Sequence, residues 1–259
     1  MFLIENVKVI KKVKFVVTFV CMDKKIYLIA VAAGRGVRMG SDLPKQFIEL
    51  EGKPLLRMTI ERFVDAWPDV RVITVLPADY IPIWREYCEH QDFLCPQLLV
   101  EGGMTRFHSV QNALKRIPDG AVVAIHDGVR PLISVDLLKR MRERMSSCRA
   151  LIPVVPSFDT LKALRTVRGA DGSPHLETIE GVALDRTQVF GAQTPQMFLS
   201  EDIKSAYTQG YDLSFTDDAS VAAKKQIPLS YIEGERFNIK ITTPEDLTFA
   251  RAVISLNLS

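Results

Sequence analysis

The segment Ala33-Gly34-Arg35-Gly36-Val37-Arg38-Met39-Gly40, followed by Pro44-Lys45-Gln46, combines closely spaced glycines with cations. Glycine lets backbone N–H groups approach phosphate oxygens closely. No Gly-Lys-Ser/Thr follows, which excludes a Walker A loop, and the third glycine comes one position late for the dinucleotide pattern GxGxxG. On its glycines alone the segment also suits a solvated surface loop. The cations Arg35, Arg38 and Lys45 point to a nucleoside triphosphate. A dinucleotide's pyrophosphate is held by glycine backbone and a helix N-terminus and needs no such charges. A triphosphate crowds about four negative charges, which grow further on a departing pyrophosphate. Pro44 stiffens the approach to Lys45.

His126-Asp127-Gly128-Val129-Arg130-Pro131 puts a carboxylate at the end of an apolar run. Such a group suits a helix N-cap. Beside a triphosphate it suits Mg²⁺ or another divalent cation, which takes about one or two carboxylates together with phosphate oxygens and water. Lys240, within Asn238-Ile239-Lys240-Ile241-Thr242, reads as part of a short strand, on an exposed face or aimed into a site. Asp185-Arg186, and Thr160 with Lys162, carry the same ambiguity. Thr216-Asp217-Asp218-Ala219-Ser220 reads as a helix N-terminal capping sequence.

These residues need a frame. Tyr27–Ala32 is a continuous apolar run, the pattern of a strand buried on both faces. Strands are also expected at Val70–Leu76, Gln97–Val100, Ala121–His126 and Ala150–Val155. Helices are expected at Pro54–Val64, Ile81–Cys88, Ser109–Arg116 and Ser134–Met145. The alternation implies right-handed crossovers and an α/β fold with a Rossmann-like, mainly parallel sheet. Ligands of such sheets collect at the carboxyl ends of the strands. The loop after Ala32, the Glu101-Gly102-Gly103 turn and Asp127 all fall there. From Pro156 to Gly191 the pattern changes to short polar stretches around Gly169-Ala170-Asp171-Gly172, which predicts an extended β-hairpin. It is too poor in apolar residues for a core of its own, so it is either an arm packed on a partner subunit or a surface flap. Helices resume at Asp202–Gln209, Ala219–Lys225 and from Pro244.

The chain has 259 residues, 47% hydrophobic and 25% charged, enough to bury a core without disulfides or metals. Lys+Arg number 33 against 31 Asp+Glu, so no overall basic footprint speaks for nucleic acid. The four cysteines form no CxxC pair, and reduced thiols in a cytoplasmic protein are expected. The histidines lack the spacing of a zinc site. Residues 1–24 read as an extension or the product of an upstream start codon, ahead of a domain over 25–259. The apolar run Phe15–Cys21 is far shorter than the roughly 20 residues that span a bilayer, and no membrane role is expected.

Taken in order, AAGRGVRM and PKQF, EGG..R..SV, HDGVRP, DT.K, DR with QTPQ, TDDAS and NIKITTPEDL form a set. The set resembles the 2-C-methyl-D-erythritol 4-phosphate cytidylyltransferase family of the non-mevalonate isoprenoid pathway, over about Lys25 to Leu256. The resemblance implies in-line attack of the sugar-alcohol phosphate on the α-phosphate of CTP, releasing pyrophosphate. It implies that Arg38 and Lys45 stabilise the pentavalent phosphate and the leaving group, and that Lys240 contacts the α-phosphate. Asp127 would hold Mg²⁺. Ala32, Ala33, Gly34, Gly36, Gly103, Ser109 and Arg130 would line the nucleotide pocket, and Thr160, Arg186 and Thr194 would bind methylerythritol phosphate. It also implies a homodimer in which the arm of one chain completes the other chain's site. Two positions depart from the family's pattern. Met104 stands where an acid often follows the Gly-Gly turn, and Gly128-Val129 stands between the acid and the arginine of HDGVRP. The closely related ribitol-5-phosphate cytidylyltransferases are the nearest rival. A non-catalytic nucleotide-binding module is the rival from another class, and it gives no reason for keeping Arg38, Lys45, Asp127 and Lys240 together.

Overall fold

A computed structural model describes residues 24–34 and 44–256. In chain order the strands are β1 (Ile26–Val31), β2 (Glu49–Leu50), β3 (Lys53–Pro54), β4 (Arg71–Leu76), β5 (Gln97–Glu101), β6 (Val122–Asp127), β7 (Ala150–Pro156), β8 (Leu164–Arg168), β9 (Pro174–Thr178), β10 (Phe190–Ala192), β11 (Gln196–Leu199) and β12 (Ser230–Glu233). The α-helices are α1 (Leu55–Ala66), α2 (Ile81–His90), α3 (Arg106–Leu114), α4 (Val135–Arg144), α5 (Ser200–Ala206), α6 (Asp218–Lys224) and α7 (Pro244–Ser255).

The main sheet runs β10-β7-β11-β6-β1-β4-β5, with β12 also paired to β7. β6, β1, β4 and β5 are mutually parallel, as the alternating pattern requires. Successive side chains of β1 enter opposite cores. Leu28 and Ala30 pack with Leu56, Phe63 and Met141 on one face. Ile29 packs with Phe107, Val110 and Ile203 on the other. A strand covered on both faces has no place for polar residues, which is why YLIAV is unbroken. Among the described residues no helix is long and apolar enough to cross a membrane. Cys88, Cys95 and Cys148 are free thiols; Cys21 lies outside the described residues.

Several elements differ from the sequence expectation. β11 is inserted between β6 and β7 and is antiparallel to both. Its sequence follows Gln193-Thr194-Pro195 and is too short for a periodicity signal. α3 starts at Arg106 rather than Ser109, because the Thr105 side chain caps it by accepting from the His108 N–H. α5 starts at Ser200, two residues before the expected Asp202. Lys240 belongs to no strand; its neighbour Ile241 donates its N–H to the Val129 carbonyl at 2.9 Å, which ties the segment to the loop after β6. The hairpin over 156–191 exists, with its ladder confined to β8 and β9. Asp217 caps α6 through a reciprocal capping box with Ser220, as its motif predicts.

Candidate active site

The carboxyl ends of β1 and β6 and the turn after β5 open on one cavity of about 640 Å³. Ala32, Ala33, Gly34, Lys45, Gly103, Ser109, Asp127 and Lys240 all line it. Arg130 reaches the site through Asp127. Thr194 is buried behind Asp127. Thr160 and Arg186 lie on the exposed hairpin, outside the cavity wall. Gly36 and Arg38 lie outside the described residues.

Lys45 owes its place to its neighbours. Pro44 leads into a single 3₁₀ turn, Lys45–Phe47. Gln46 is buried and donates its Nε2–H to the Ala32 carbonyl at 2.7 Å, which straps the returning loop to the end of β1. Phe47 stacks on Tyr80 and packs against Trp84. With the residues on both sides of the turn fixed, Lys45 is left on the cavity wall.

The Gly102-Gly103 turn is shaped by close packing. A Cβ on Gly102 would lie 2.4 Å from the Ala33 Cβ, and one on Gly103 would lie 2.4 Å from the His108 Cβ. The Gly103 N–H donates to the Ser109 hydroxyl at 3.0 Å, and that hydroxyl donates to the Thr105 carbonyl at 2.9 Å. Ser109 thereby holds the turn against α3. Met104, the departure from the family pattern, lines the cavity and is 96% exposed.

Asp127 is the electrostatic centre. Lys240 Nζ lies 3.0 Å from its Oδ2, Arg130 Nε 3.4 Å from Oδ2, and Arg106 Nε 3.4 Å from Oδ1. Burial alone would push the Asp127 carboxyl up. Arg106, Lys240 and Arg130 outweigh it and hold the group far below the usual carboxylate range. Arg106 is itself shared: its two Nη groups donate to Asp218 at 2.9 and 2.8 Å, and Asp218 also accepts from the Tyr207 hydroxyl at 2.6 Å. Burial lowers the Arg106 pKa and the two carboxylates more than restore it, so its charge is permanent. With Lys45 in the same cavity, cations outnumber the carboxylates they face, an arrangement that attracts polyanions.

Behind Asp127 a chain of hydrogen bonds has a single consistent direction. The Asp127 N–H donates to the Thr194 hydroxyl at 3.2 Å, and His126, kept neutral by burial and with its Nε2 proton turned to a carbonyl, accepts the hydroxyl proton at Nδ1 at 3.0 Å. His126 Nε2–H then donates to the Arg130 carbonyl at 3.2 Å. His126 is thus a neutral imidazole, and burial pushes its pKa from 6.5 down to about 3. Below pH 6.5 the unfolded chain binds a proton that the folded chain refuses. Stability is therefore expected to fall by about 1.4 kcal/mol per pH unit as pH drops from about 6.5 toward 3. Urea denaturation at pH 7 and pH 5.5 would measure the slope, and His126→Gln should flatten it. An equal slope in the variant would place the proton elsewhere.

The chain matches a known family over nearly all of the described residues. The family model for 2-C-methyl-D-erythritol 4-phosphate cytidylyltransferases matches residues 26–256. The chain belongs to that family. It is 40% identical over 227 residues to the 2-C-methyl-D-erythritol 4-phosphate cytidylyltransferase of Bacteroides thetaiotaomicron, covering 88% of this chain and 98% of that one. It is 40% identical over 238 residues to that of Porphyromonas gingivalis, covering 90% and 100%. Among solved structures it is similar to 4-diphosphocytidyl-2C-methyl-D-erythritol synthase from Anaerococcus prevotii, with a TM-score of 0.72, 28% identity, and 91% and 98% of the two chains covered. The enzyme from Thermus thermophilus superposes with a TM-score of 0.66 at 29% identity, covering 90% and 99%.

The contacts also show which site residues the sequence passes over. Arg106 stands within the EGG..R..SV motif, yet nothing in that motif tells that it bridges Asp127 and Asp218. The two partners lie 21 and 112 positions away. Asp218 read as part of a capping sequence, which Asp217 supplies. Gln46 was legible only as the residue after Lys45.

Proposed function

We propose that this chain transfers the cytidylyl group of CTP to 2-C-methyl-D-erythritol 4-phosphate, releasing pyrophosphate, at the cavity over the carboxyl ends of β1 and β6. The observation that carries the reading is the meeting of Lys45, Lys240, Arg106 and Asp127, from four separate segments, on one cavity wall. A module that only bound a nucleotide would have no use for so much converging charge.

A phosphate oxygen of the sugar-alcohol phosphate forms a bond to the α-phosphorus of CTP as the bond to the β,γ-pyrophosphate breaks. No proton need move and no group on the protein is modified. Catalysis then consists of alignment and of stabilising charge that grows on the α-phosphate oxygens and on the leaving group. Lys45, with Arg38 from the same loop, serves the leaving pyrophosphate, and Lys240 serves the α-phosphate. The Gly34 and Gly103 segments and Ala32–Ala33 receive the nucleoside. Arg130 acts on the nucleotide side and Thr194 on the acceptor side, each through its hold on Asp127.

Asp127 also fits one divalent cation such as Mg²⁺. It is a carboxylate on the cavity wall, and one protein carboxylate is enough for a cation whose other ligands are phosphate oxygens and water. Such a cation would be held chiefly by phosphate oxygens and water, and would supply charge neutralisation between the phosphates. Lys240, now 3.0 Å from Asp127 Oδ2, would exchange that carboxylate for the α-phosphate.

The arm supports a shared site. β8 and β9 pair only with each other, and a lone two-stranded hairpin is marginal in water. Its apolar side chains Leu164, Leu176, Ile179, Val182 and Leu184 are exposed, which suits burial on a second copy. Thr160 and Arg186 would then serve the neighbouring site. Mixing Arg186→Ala with Lys45→Ala chains should restore part of the activity that each lacks alone. Absence of rescue in demonstrated heterodimers would rule out sharing. The function itself is tested by pyrophosphate release from CTP and Mg²⁺ with methylerythritol phosphate or ribitol 5-phosphate as acceptor. Preference for ribitol 5-phosphate would overturn the substrate, and no release with either would overturn the enzyme.

A further inference from the structure

At the root of the hairpin arm, beyond the β7–β10 pairing of Pro156 with Phe190, one aromatic side chain links the body to the arm. Phe158, where the chain leaves β7 for the arm, is 52% exposed, and the Arg236 guanidinium lies 3.5 Å from the centre of its ring. The carbonyl of the same residue accepts from Arg186 Nη1 at 3.4 Å. The two sides of the root are also joined, Ser157 N–H to Val189 carbonyl, at 3.3 Å. Phe158 thus connects Arg236 of the body to Arg186 of the arm's returning limb.

Arg236 has a rigid base. The amide of Gln193 pairs with the backbone of Glu235 in both directions, at 2.7 and 3.1 Å. The Glu235 carboxylate accepts from the Ser134 N–H at 3.1 Å and from its hydroxyl. Two residues on, Asn238 is fully buried, donates to the Thr194 carbonyl at 2.9 Å, and offers its own carbonyl to Arg130 at 2.7 Å. Two further on is Lys240, on Asp127. A single pinned loop therefore carries the arm's stacking partner at one end and the cavity lysine at the other.

We propose that Arg236 is a positioning residue for the acceptor: by stacking on Phe158 it fixes the arm root, and through the Phe158 carbonyl it sets Arg186. The inference rests on the reading that the arm carries the sugar-phosphate contacts. It assigns the role to a pair of residues outside every motif that identified the family.

An exposed cation–π contact is worth a factor of about two to five in an equilibrium. Arg236→Gln and Phe158→Ala should each raise the KM for methylerythritol phosphate by about that factor and leave the KM for CTP unchanged. Phe158→Tyr, which keeps the ring, should behave as wild type. In the intact protein, amide exchange over residues 158–190 should quicken in Arg236→Gln and Phe158→Ala alone. Exchange equal to wild type, or equal rises in both KM values, would overturn the proposal. Arg186→Ala is the control for the underlying reading. If it leaves the acceptor KM unchanged, the arm does not bind acceptor, and quickened exchange would still uphold the clasp. If it raises that KM while Arg236→Gln quickens exchange without raising it, the stack is structural only and the positioning role is overturned.

Discussion

Lys45→Ala is expected to lower kcat by about 10²-fold or more with little change in the KM for CTP, the result of removing a preorganised charge that acts mainly in the transition state. The 3₁₀ turn that carries Lys45 is fixed by Gln46 on Ala32 and Phe47 on Tyr80, so alanine at 45 should leave the turn in place. The loss would then be of charge and not of fold. Lys240 cannot substitute for it, because it lies on another segment and already serves the α-phosphate in the proposed reaction. Lys45→Arg should recover only part of the rate, since a planar fork on a fixed turn does not reproduce a compact ammonium. Single-turnover kinetics with saturating CTP would separate chemistry from product release. A variant with wild-type kcat and a raised KM would show that Lys45 binds the triphosphate equally in the ground state and the transition state.

The parallel half of the sheet was legible because its central strands are continuous apolar runs buried on both faces. Tyr27–Ala32 and Ala121–His126 each fall within one residue of β1 and β6. The antiparallel insertion of β11 was not legible: four residues after Thr194-Pro195 carry no period, and their place depends on both neighbours. The same contrast holds in the site. Lys45, Asp127 and Lys240 stood out because charge beside glycine or within apolar runs needs a reason. Arg106 and Asp218 did not: Arg106 fell in the turn ahead of the expected helix at Ser109, and Asp218 suits a helix N-terminal turn when read alone. Their significance is a contact across 112 residues, which no local pattern encodes.

That contact supports the second large effect. Asp218→Ala is expected to cost about 3 kcal/mol of stability, the low end for breaking a buried ion pair by removing one member. The Asp218 side chain is fully buried, whereas Arg106 keeps 29% of its side-chain surface, so water can relieve part of the penalty. Two groups lose their acceptor together, the Arg106 fork and the Tyr207 hydroxyl, whose proton burial and Asp218 hold in place. Asp218 is also the first residue of α6, where a negative charge complements the helix dipole, so its loss weakens that end further. The freed guanidinium has Asp127 as its remaining anion, and a tighter Arg106–Asp127 pair would occupy the carboxylate that the phosphates and their cation require. Activity should therefore fall beyond what the loss of folded protein explains. Urea denaturation of Asp218→Ala, Arg106→Met and the double variant forms a cycle in which the double variant should be more stable than the sum of the single effects, because it leaves no unpaired charge. Strict additivity would mean that the two side chains are neighbours without coupling.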